Sequence, residues 1–222
     1  QVLVANLDAV LVVASAERPV LAPGLVDRFL VAAEVRRLDA SVAINKIDLD
    51  PARERDSAAG IYRALGYAVV ETSAETGEGL DELRELLRGK TTALLGHSGV
   101  GKSSLANRLD PTLRLRTGDV HGPSGLGVHT TTTVSLLRLP WGGHLVDTPG
   151  IREFGLWGLA PREVAGAFRE MAALAHGCRF GDCLHREEPS CAVKDALAEG
   201  RVAAIRYESY TRMLDSLTAE DR

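Results

Sequence analysis

The order of three short motifs constrains the fold of this chain more than any other feature of its sequence. The tetrapeptide NKID comes first at 45–48, the glycine-rich loop GHSGVGKS follows at 96–103, and DTPG comes last at 147–150. Most domains that contain these motifs have the glycine-rich loop first and NKID last. The order therefore predicts a circularly permuted domain, in which the second half of the usual chain has moved in front of the first half.

Apolar runs alternate with amphipathic segments over the first hundred residues or so, which predicts an α/β fold. We expect strands at 9–14, 41–44, 67–70 and 91–95, helices at 23–38, 51–65 and 80–87, and two paired strands at 134–139 and 144–146. This pattern predicts a mostly parallel sheet with helices on both faces. Beyond Pro161 the apolar spacing is helical, so we expect a permuted domain at 1–158 and a small helical domain at 159–222.

The glycine-rich loop matches the P-loop pattern GxxxxGK[ST], and it lies between a predicted strand and a predicted helix as that pattern requires. Its glycines let backbone N–H groups converge on phosphate oxygens at the helix N-terminus. We expect Lys102 to contact the β- and γ-phosphates and the Ser103 hydroxyl to bind Mg²⁺. A glycine-rich turn without a ligand is the alternative. The predicted phosphate-binding residues are Gly96, His97, Ser98, Gly99, Val100, Gly101, Lys102, Ser103 and Ser104.

The NKID tetrapeptide predicts which base is bound. The Asp48 carboxylate can accept hydrogen bonds from the ring N–H and the exocyclic amine of guanine, whereas adenine has an acceptor at that ring position and no amine beside it. Asn45 would tie this loop to the P-loop, and the stem of Lys46 would cover the face of the base. A surface turn is the alternative for a tetrapeptide taken alone. The predicted base-binding residues are Asn45, Lys46, Ile47 and Asp48, with the backbone of Ser73 and Ala74.

The DTPG motif and a run of threonines predict the groups that contact the γ-phosphate and Mg²⁺. Asp147 would hold Mg²⁺ through water, and the Gly150 N–H would contact the γ-phosphate. The switch threonine would be Thr130 or Thr131, and the sequence does not choose between them. A structural turn and a plain strand segment are the alternatives, since β-branched residues favour strands.

Ile151 stands where many GTPases place a glutamine that orients the attacking water. An aliphatic side chain cannot polarise water, so we expect slow intrinsic hydrolysis and a different group that positions the nucleophile. His129 is the nearest candidate in the sequence, and a loop histidine without a role is the alternative. We therefore expect catalytic roles for His129, Lys102, Thr130 and Thr131.

All three cysteines fall in one short segment with a histidine, in the pattern C-x4-C-x-H-x5-C. Three thiolates and one imidazole fill the tetrahedral shell of Zn²⁺ and leave no open position for water. We therefore expect a structural zinc site that holds together a segment too small to build its own core. Free buried cysteines are the alternative. The predicted ligands are Cys178, Cys183, His185 and Cys191.

Composition narrows the class of protein. The chain has a net charge of −4, so it lacks the excess of basic residues that most nucleic-acid-binding proteins show. The longest apolar stretch is too short to cross a bilayer, and the beginning of the chain lacks a basic region followed by a cleavage site. We expect a cytoplasmic monomer that binds neither DNA nor a membrane.

The ordered motifs NKID, TSA, GHSGVGKSS, GVHTTTT, DTPGIREFGL and CRFGDCLHREEPSC resemble the RsgA/YjeQ family of circularly permuted GTPases. The resemblance implies a GTP hydrolase that uses GTP/GDP, Mg²⁺ and one structural Zn²⁺ in late maturation of the small ribosomal subunit. It implies stimulation by the 30S subunit, binding to its 16S rRNA, contact of the zinc domain with the ribosome, and a role for His129 in hydrolysis. Family members also carry an N-terminal OB-fold domain, and we expect this chain to begin where that domain ends.

Other functions stay open at this point. A P-loop kinase for a small molecule would need an acceptor pocket but neither NKID nor a switch threonine. A GTP-binding switch or scaffold with negligible catalysis would be compatible with Ile151. Permuted GTPases that assemble the large subunit share the motif order but lack this Cys/His spacing, so stoichiometric zinc would discriminate against them.

Overall fold

A computed structural model describes residues 6–50, 56–115, 135–147 and 158–220 of the chain. Within these described ranges, six strands and three α-helices belong to the part of the chain that carries the nucleotide motifs. The strands are β1 (Ala9–Ser15), β2 (Asp39–Asn45), β3 (Ala68–Glu71), β4 (Thr91–Leu95), β5 (Ser135–Arg138) and β6 (His144–Asp147). The helices are α2 (Asp56–Ala64), α3 (Leu80–Leu87) and α4 (Lys102–Leu109). The remaining helices are α1 (Pro23–Val35), α5 (Pro161–Ala167), α6 (Arg169–Leu174), α7 (Ala192–Ala198) and α8 (Ala204–Glu220).

The strands form one sheet in the order β3-β2-β1-β4-β6-β5. All neighbours run parallel except β5, which pairs antiparallel with β6. The predicted α/β fold with a mostly parallel sheet is therefore confirmed. The pairing of β5 with β6 also confirms the two paired strands expected around the turn at 140–143.

The pairing of β1 with β4 joins the two transposed halves of the sheet. Ala9 lies opposite Thr92, and Val12 lies opposite Leu95. On its other side, β1 pairs with β2 over its whole length. Strand β1 is buried at every position, as expected for a central strand of a parallel sheet that is covered on both faces. Strands β2 and β3, which lead into NKID and the TSA segment, thus lie on one side of β1, and β4, which leads into the glycine-rich loop, lies on the other.

Helix α3 shows how local sequence determines one of these elements. Leu80, Leu83 and Leu87 recur at three- and four-residue spacing, and all three are buried. They belong to an apolar cluster that joins α3 and α4 to one face of the sheet. This cluster also includes Leu11, Val13, Leu94, Leu105, Leu109 and Leu145.

Contacts divide the chain into two compact units. The first contains 1–22 and 38–152, and the second contains 23–37 and 153–222. Helix α1 thus comes between β1 and β2 in the chain but packs with the C-terminal helices. The core of the second unit includes Val31, Val164, Phe168, Met171, Val193, Tyr210 and Leu214. The predicted boundary at 158 stays a prediction. The packing of α1 could not be predicted, because an amphipathic pattern shows that a helix buries one face but not which element covers that face.

A buried ion cluster holds α1, α6 and α8 together within the second unit. Arg206 Nη1 lies 2.5 Å from Asp27 Oδ1, and its Nε lies 2.7 Å from Glu170 Oε1. The guanidinium carbon also lies 4.5 Å from the centroid of the Phe168 ring. Burial opposes the charge of Arg206, but the hydrogen bonds and charges of Glu170 and Asp27 outweigh burial and raise its pKa. A second ion pair, between Arg169 and Glu34, joins α6 to α1 at 2.7 Å.

No helix within the described ranges is both long enough and apolar enough to cross a bilayer.

Replacing Arg206 by Met should destabilise the second unit strongly. The change leaves the carboxylates of Asp27 and Glu170 in a buried site without their cation, which costs about 3–5 kcal/mol in comparable cases. The matched control is Arg212→Met, which breaks the exposed pair with Glu208 and should cost no more than about 0.5 kcal/mol. Urea unfolding followed by circular dichroism, with hydrogen exchange at the amides of α8, measures both. Equal losses for the two variants would contradict the dependence of the second unit on an intact Arg206 cluster.

Candidate nucleotide-binding and metal sites

The nucleotide motifs leave the sheet at the same edge. NKID begins at the last residue of β2, the TSA segment at 72–74 follows β3, and the glycine-rich loop follows β4. These three strands run parallel, so their carboxyl ends lie together, which is where open α/β sheets bind ligands. The topology therefore brings together segments that are about fifty residues apart in the sequence.

The side chain of Asn45 connects all three of these segments. Its Nδ2 donates to the carbonyl oxygen of Val100 in the glycine-rich loop, at 2.9 Å. Its Oδ1 accepts from the backbone N–H of Ala74 at 3.2 Å and from the Thr72 hydroxyl at 3.3 Å. Asn45 is 1% exposed, so these hydrogen bonds are shielded from water. The predicted link between NKID and the P-loop is thus present as a direct hydrogen bond.

Asp48 is exposed at the mouth of the site, and a neighbour fixes its orientation. The hydroxyl of Ser73 donates to Asp48 Oδ1 at 2.5 Å. The same hydroxyl accepts from the backbone N–H of Thr76 at 3.1 Å, so it is held in place from both sides. The backbone N–H of Ile47 donates to the carbonyl of Thr72 at 3.3 Å. The base-reading loop and the TSA segment therefore form one connected group.

Lys46 lies across the gap between the base-reading loop and the glycine-rich loop. Its backbone is left-handed, with φ of 62°. Its ammonium donates to the carbonyl of Gly99 at 2.6 Å and to the carbonyl of Arg18 at 2.5 Å. Sequence reasoning missed the segment after β1 that contains Arg18, since a backbone carbonyl has no signature in the sequence. The Ser15 hydroxyl, which donates to the carbonyl of Pro19 at 2.6 Å, holds the same segment.

Two glycines of the P-loop are required by close contacts. A Cβ on Gly96 would lie 2.2 Å from the carbonyl oxygen of Val13, and a Cβ on Gly101 would lie 2.3 Å from Asn45 Nδ2. Both glycines also have positive φ, which side chains disfavour. The loop is thus a tight backbone cradle of the kind that phosphate groups occupy. The ammonium of Lys102 lies at this loop and donates to the carbonyls of Gly96 and His97 at 2.8 and 2.9 Å.

The other predicted phosphate-site residues fall into two groups. Ser103 and Ser104 are half-buried in the first turn of α4, and His97, Ser98 and Gly99 are exposed. Asp147 is the last residue of β6 and pairs in register with Leu94, so its backbone lies beside the strand that enters the P-loop. The predictions for His129, Thr130, Thr131 and Gly150, and for the Asp147 side chain, fall outside what the structure describes.

The predicted zinc ligands lie together in the second unit. The donor atoms of Cys178, Cys183, His185 and Cys191 are all within 4.8 Å of one another. His185 Nδ1 lies 3.6 Å from Cys178 Sγ and 3.3 Å from Cys191 Sγ, and the two sulfurs are 3.9 Å apart. Tetrahedral Zn²⁺ with its usual bond lengths would separate two sulfurs by about 3.8 Å and a sulfur from a nitrogen by about 3.6 Å. The donor set therefore fits zinc in both chemistry and spacing.

Burial shifts the pKa values of two of these donors, Cys183 and His185. It raises the pKa of the Cys183 thiol to about 12, with further contributions from Cys191 and Cys178. It also lowers the pKa of His185, which keeps the imidazole neutral as a metal ligand must be. The Cys183 thiol would have to lose its proton to bind zinc, so metal binding here would release protons and would become weaker as the pH falls.

Tyrosines outside the loop that carries the four predicted metal donors, 178–191, hold the backbone of that loop. Sequence reasoning did not find these tyrosines. Tyr207 donates its hydroxyl to the carbonyl of His185 at 2.6 Å, and Tyr210 donates to the carbonyl of Leu184 at 2.5 Å. Burial raises the pKa of both tyrosines, so their hydroxyls remain protonated donors at neutral pH. The amphipathic pattern predicts only that such a tyrosine lies in the core. No local pattern identifies the distant carbonyl that accepts its hydroxyl hydrogen bond.

Replacing Gly101 by Ala should weaken nucleotide binding roughly 10- to 100-fold, because the new methyl group displaces the amide of Asn45. Gly142→Ala is the matched control. Gly142 has a similar φ of 92° but no atom within 4 Å of the added Cβ, so it introduces the backbone strain without the clash. Titration with a fluorescent guanine nucleotide measures the affinity. If both variants bind nucleotide equally well, the contact between Gly101 and Asn45 does not shape the site.

Known proteins are similar to this chain in both sequence and fold. Residues 1–157 match the model of the RsgA GTPase family. The small ribosomal subunit biogenesis GTPase RsgA of Actinobacillus pleuropneumoniae is 43% identical over 97% of this chain. This chain spans 63% of the length of that relative.

Two crystal structures are similar over 97% of the chain. YjeQ from Thermotoga maritima is 40% identical with a TM-score of 0.82, and the match covers 73% of that protein. YloQ, a circularly permuted GTPase, is 31% identical with a TM-score of 0.76, and the match covers 69% of that protein. These matches confirm the circular permutation that the motif order predicts. The chain belongs to the RsgA GTPase family.

Proposed function

We propose that this protein hydrolyses GTP to GDP and phosphate during late maturation of the small ribosomal subunit, and that the 30S subunit stimulates the reaction. The observation that carries the proposal is the hydrogen bond from Asn45 to Val100, which joins the base-reading loop to the phosphate cradle. Membership of the RsgA GTPase family supports the choice of reaction, and the name of the Actinobacillus relative supports the choice of subunit.

Guanine specificity comes from Asp48. Its carboxylate is exposed and oriented by the Ser73 hydroxyl, so it can accept from the ring N–H and the amine of guanine. Adenine would leave this charge without donors, and such a mismatch discriminates strongly between ligands. Ala74 is held against Asn45, so the backbone of Ser73 and Ala74 can approach the carbonyl oxygen of the base. The stem of Lys46 covers the face of the base, with its ammonium held at Gly99 and Arg18.

The P-loop binds the phosphates. Backbone N–H groups of 96–101 face the phosphate oxygens, and the ammonium of Lys102 moves from its two loop carbonyls to the β- and γ-phosphates. The Ser103 hydroxyl in the first turn of α4 and Asp147 at the end of β6 would hold Mg²⁺. Mg²⁺ held there would neutralise charge on the phosphate oxygens. The Gly150 N–H would contact the γ-phosphate.

Hydrolysis needs a group that orients water, because Ile151 cannot do so. We assign that role to His129, with Thr130 or Thr131 completing the contacts around the γ-phosphate. Lys102 stabilises charge that develops on the phosphate oxygens in the transition state. We propose that the 30S subunit stimulates hydrolysis by controlling the position of His129.

The Cys178–Cys191 segment would bind one structural Zn²⁺ through Cys178, Cys183, His185 and Cys191. Three sulfurs and one nitrogen close the coordination shell, so the metal would organise this segment and take no part in hydrolysis. We propose that the protein acts as a cytoplasmic monomer and contacts 16S rRNA within the 30S subunit.

Turnover of GTP should rise at least roughly tenfold when purified 30S subunits are added and should not rise with 50S subunits. Release of phosphate is measured with each subunit and with none, at fixed salt, with ATP as the control nucleotide. Equal rates in all three conditions, with GTP still bound, would instead favour a GTP-binding switch. Preference for ATP with transfer of phosphate to a metabolite would favour a kinase.

Replacing His129 by Ala should lower the 30S-stimulated turnover roughly 100-fold, because the imidazole that positions water is lost. The affinity for GTP should stay the same, since the base and phosphate contacts remain. Single-turnover phosphate release and nucleotide titration measure the two quantities separately. His176→Ala is a matched control, because His176 lies in the second unit outside the donor set. Unchanged stimulated turnover in His129→Ala would remove His129 from the mechanism.

A further inference from the structure

The loop that carries the four metal donors is held by groups beyond the donors themselves. The carbonyls of two adjacent residues, Leu184 and His185, accept hydroxyl protons from Tyr210 and Tyr207. On the other side of the loop, the Glu188 carboxylate accepts from the backbone N–H groups of Leu184 and Arg186, at 2.7 and 2.8 Å. The backbone on either side of the His185 ring is therefore fixed by side chains.

His185 needs this support because its backbone conformation is unfavourable. Its φ is 59°, in the left-handed region that only a small fraction of non-glycine residues adopt. Conformations of this kind persist only where surrounding contacts determine them. His185 is 2% exposed, and its Nδ1 faces Cys178 and Cys191. A small rotation of this backbone would move Nδ1 out of the position that a tetrahedral metal requires.

Both tyrosines project from α8, which is itself well anchored. Arg206, the residue before Tyr207, belongs to the buried ion cluster with Asp27 and Glu170. The Tyr210 ring packs edge-on against Phe168, with ring centroids 5.3 Å apart. The hydroxyls therefore project from a fixed helix, and a phenylalanine at either position would fill the same space without the hydrogen bond.

We propose that Tyr207 and Tyr210 are positioning residues for the metal, which hold the backbone around His185 so that its imidazole is ready for Zn²⁺. The inference rests on the proposed zinc site in this loop. Coupling of this kind is reciprocal, so zinc binding also strengthens the attachment of the loop to α8. The tyrosines would act through backbone carbonyls, unlike the more usual partners that hydrogen-bond to the second nitrogen of a ligand imidazole.

The test compares Tyr207→Phe, Tyr210→Phe and the double variant with the unchanged chain. Zinc affinity is measured by competition with a chromophoric chelator at fixed pH, and each single change should weaken it about tenfold. The Co²⁺-substituted protein gives a second readout, since its visible absorption depends on ligand geometry and should shift in the double variant. Tyr67→Phe, the same chemical change in the first unit, is the matched control and should leave both readouts unchanged.

The stability of the metal-free and zinc-loaded forms separates positioning from simple packing. Positioning predicts that the tyrosine changes reduce the stabilisation that zinc provides. An equal loss of stability in the two forms, or an unchanged zinc affinity, would overturn the inference while leaving the zinc site in place. Failure of the unchanged chain to bind Zn²⁺ would overturn the proposed site and the inference together. If the double variant does not fold, Tyr207→Phe alone decides, since that ring is only half-buried.

Discussion

The nucleotide site depends on one buried amide, that of Asn45. Its nitrogen donates to the glycine-rich loop and its oxygen accepts from the TSA segment, so a single side chain sets the spacing of three loops. Aspartate, which has the same shape, would lose the donor, and glutamine would place the same amide one methylene further from the backbone. The amide also explains Gly101, because its nitrogen occupies the space where a Cβ would lie. Asn45 of NKID and Gly101 of the P-loop, although far apart in the sequence, therefore depend on each other.

Circular permutation is compatible with this site because a sheet depends on which strands are neighbours and not on their order in the chain. Strand β1 pairs with β2 on one side and with β4 on the other, and its complete burial makes both pairings favourable. The connection that permutation creates, from α3 to β4, is a short turn at Arg88–Lys90 in which Gly89 has φ of 71°. A glycine there permits the left-handed turn at little cost.

Elements with complete local signals could be predicted from the sequence, and contacts that depend on distant residues could not. Helix α3 and strand β4 have the expected bounds, because leucine spacing and flanking glycines define them locally. Helix α1 ends at Val35, three residues earlier than expected, and Arg37 beyond it is left-handed with φ of 55°. The partner of α1, the carbonyl of Arg18 and the tyrosines behind the metal loop have no local signature. The NKID loop, the glycine-rich loop and the Cys/His cluster could be located from the sequence, since each motif requires particular residue types at fixed spacing.

Helix α8 shows how a small unit can obtain a defined structure from polar contacts. Within one turn it carries Arg206, which binds Asp27 and Glu170, and the two tyrosines that bind the metal loop. Buried charges of this kind add little net stability compared with apolar packing. Removing one partner is strongly destabilising, however, because it leaves the other charge buried and unpaired. They therefore favour one arrangement of α1, α6 and α8 over other packings of similar apolar area. A metal ion bound by the Cys/His cluster would add the same kind of directional constraint to a loop that has few apolar residues of its own.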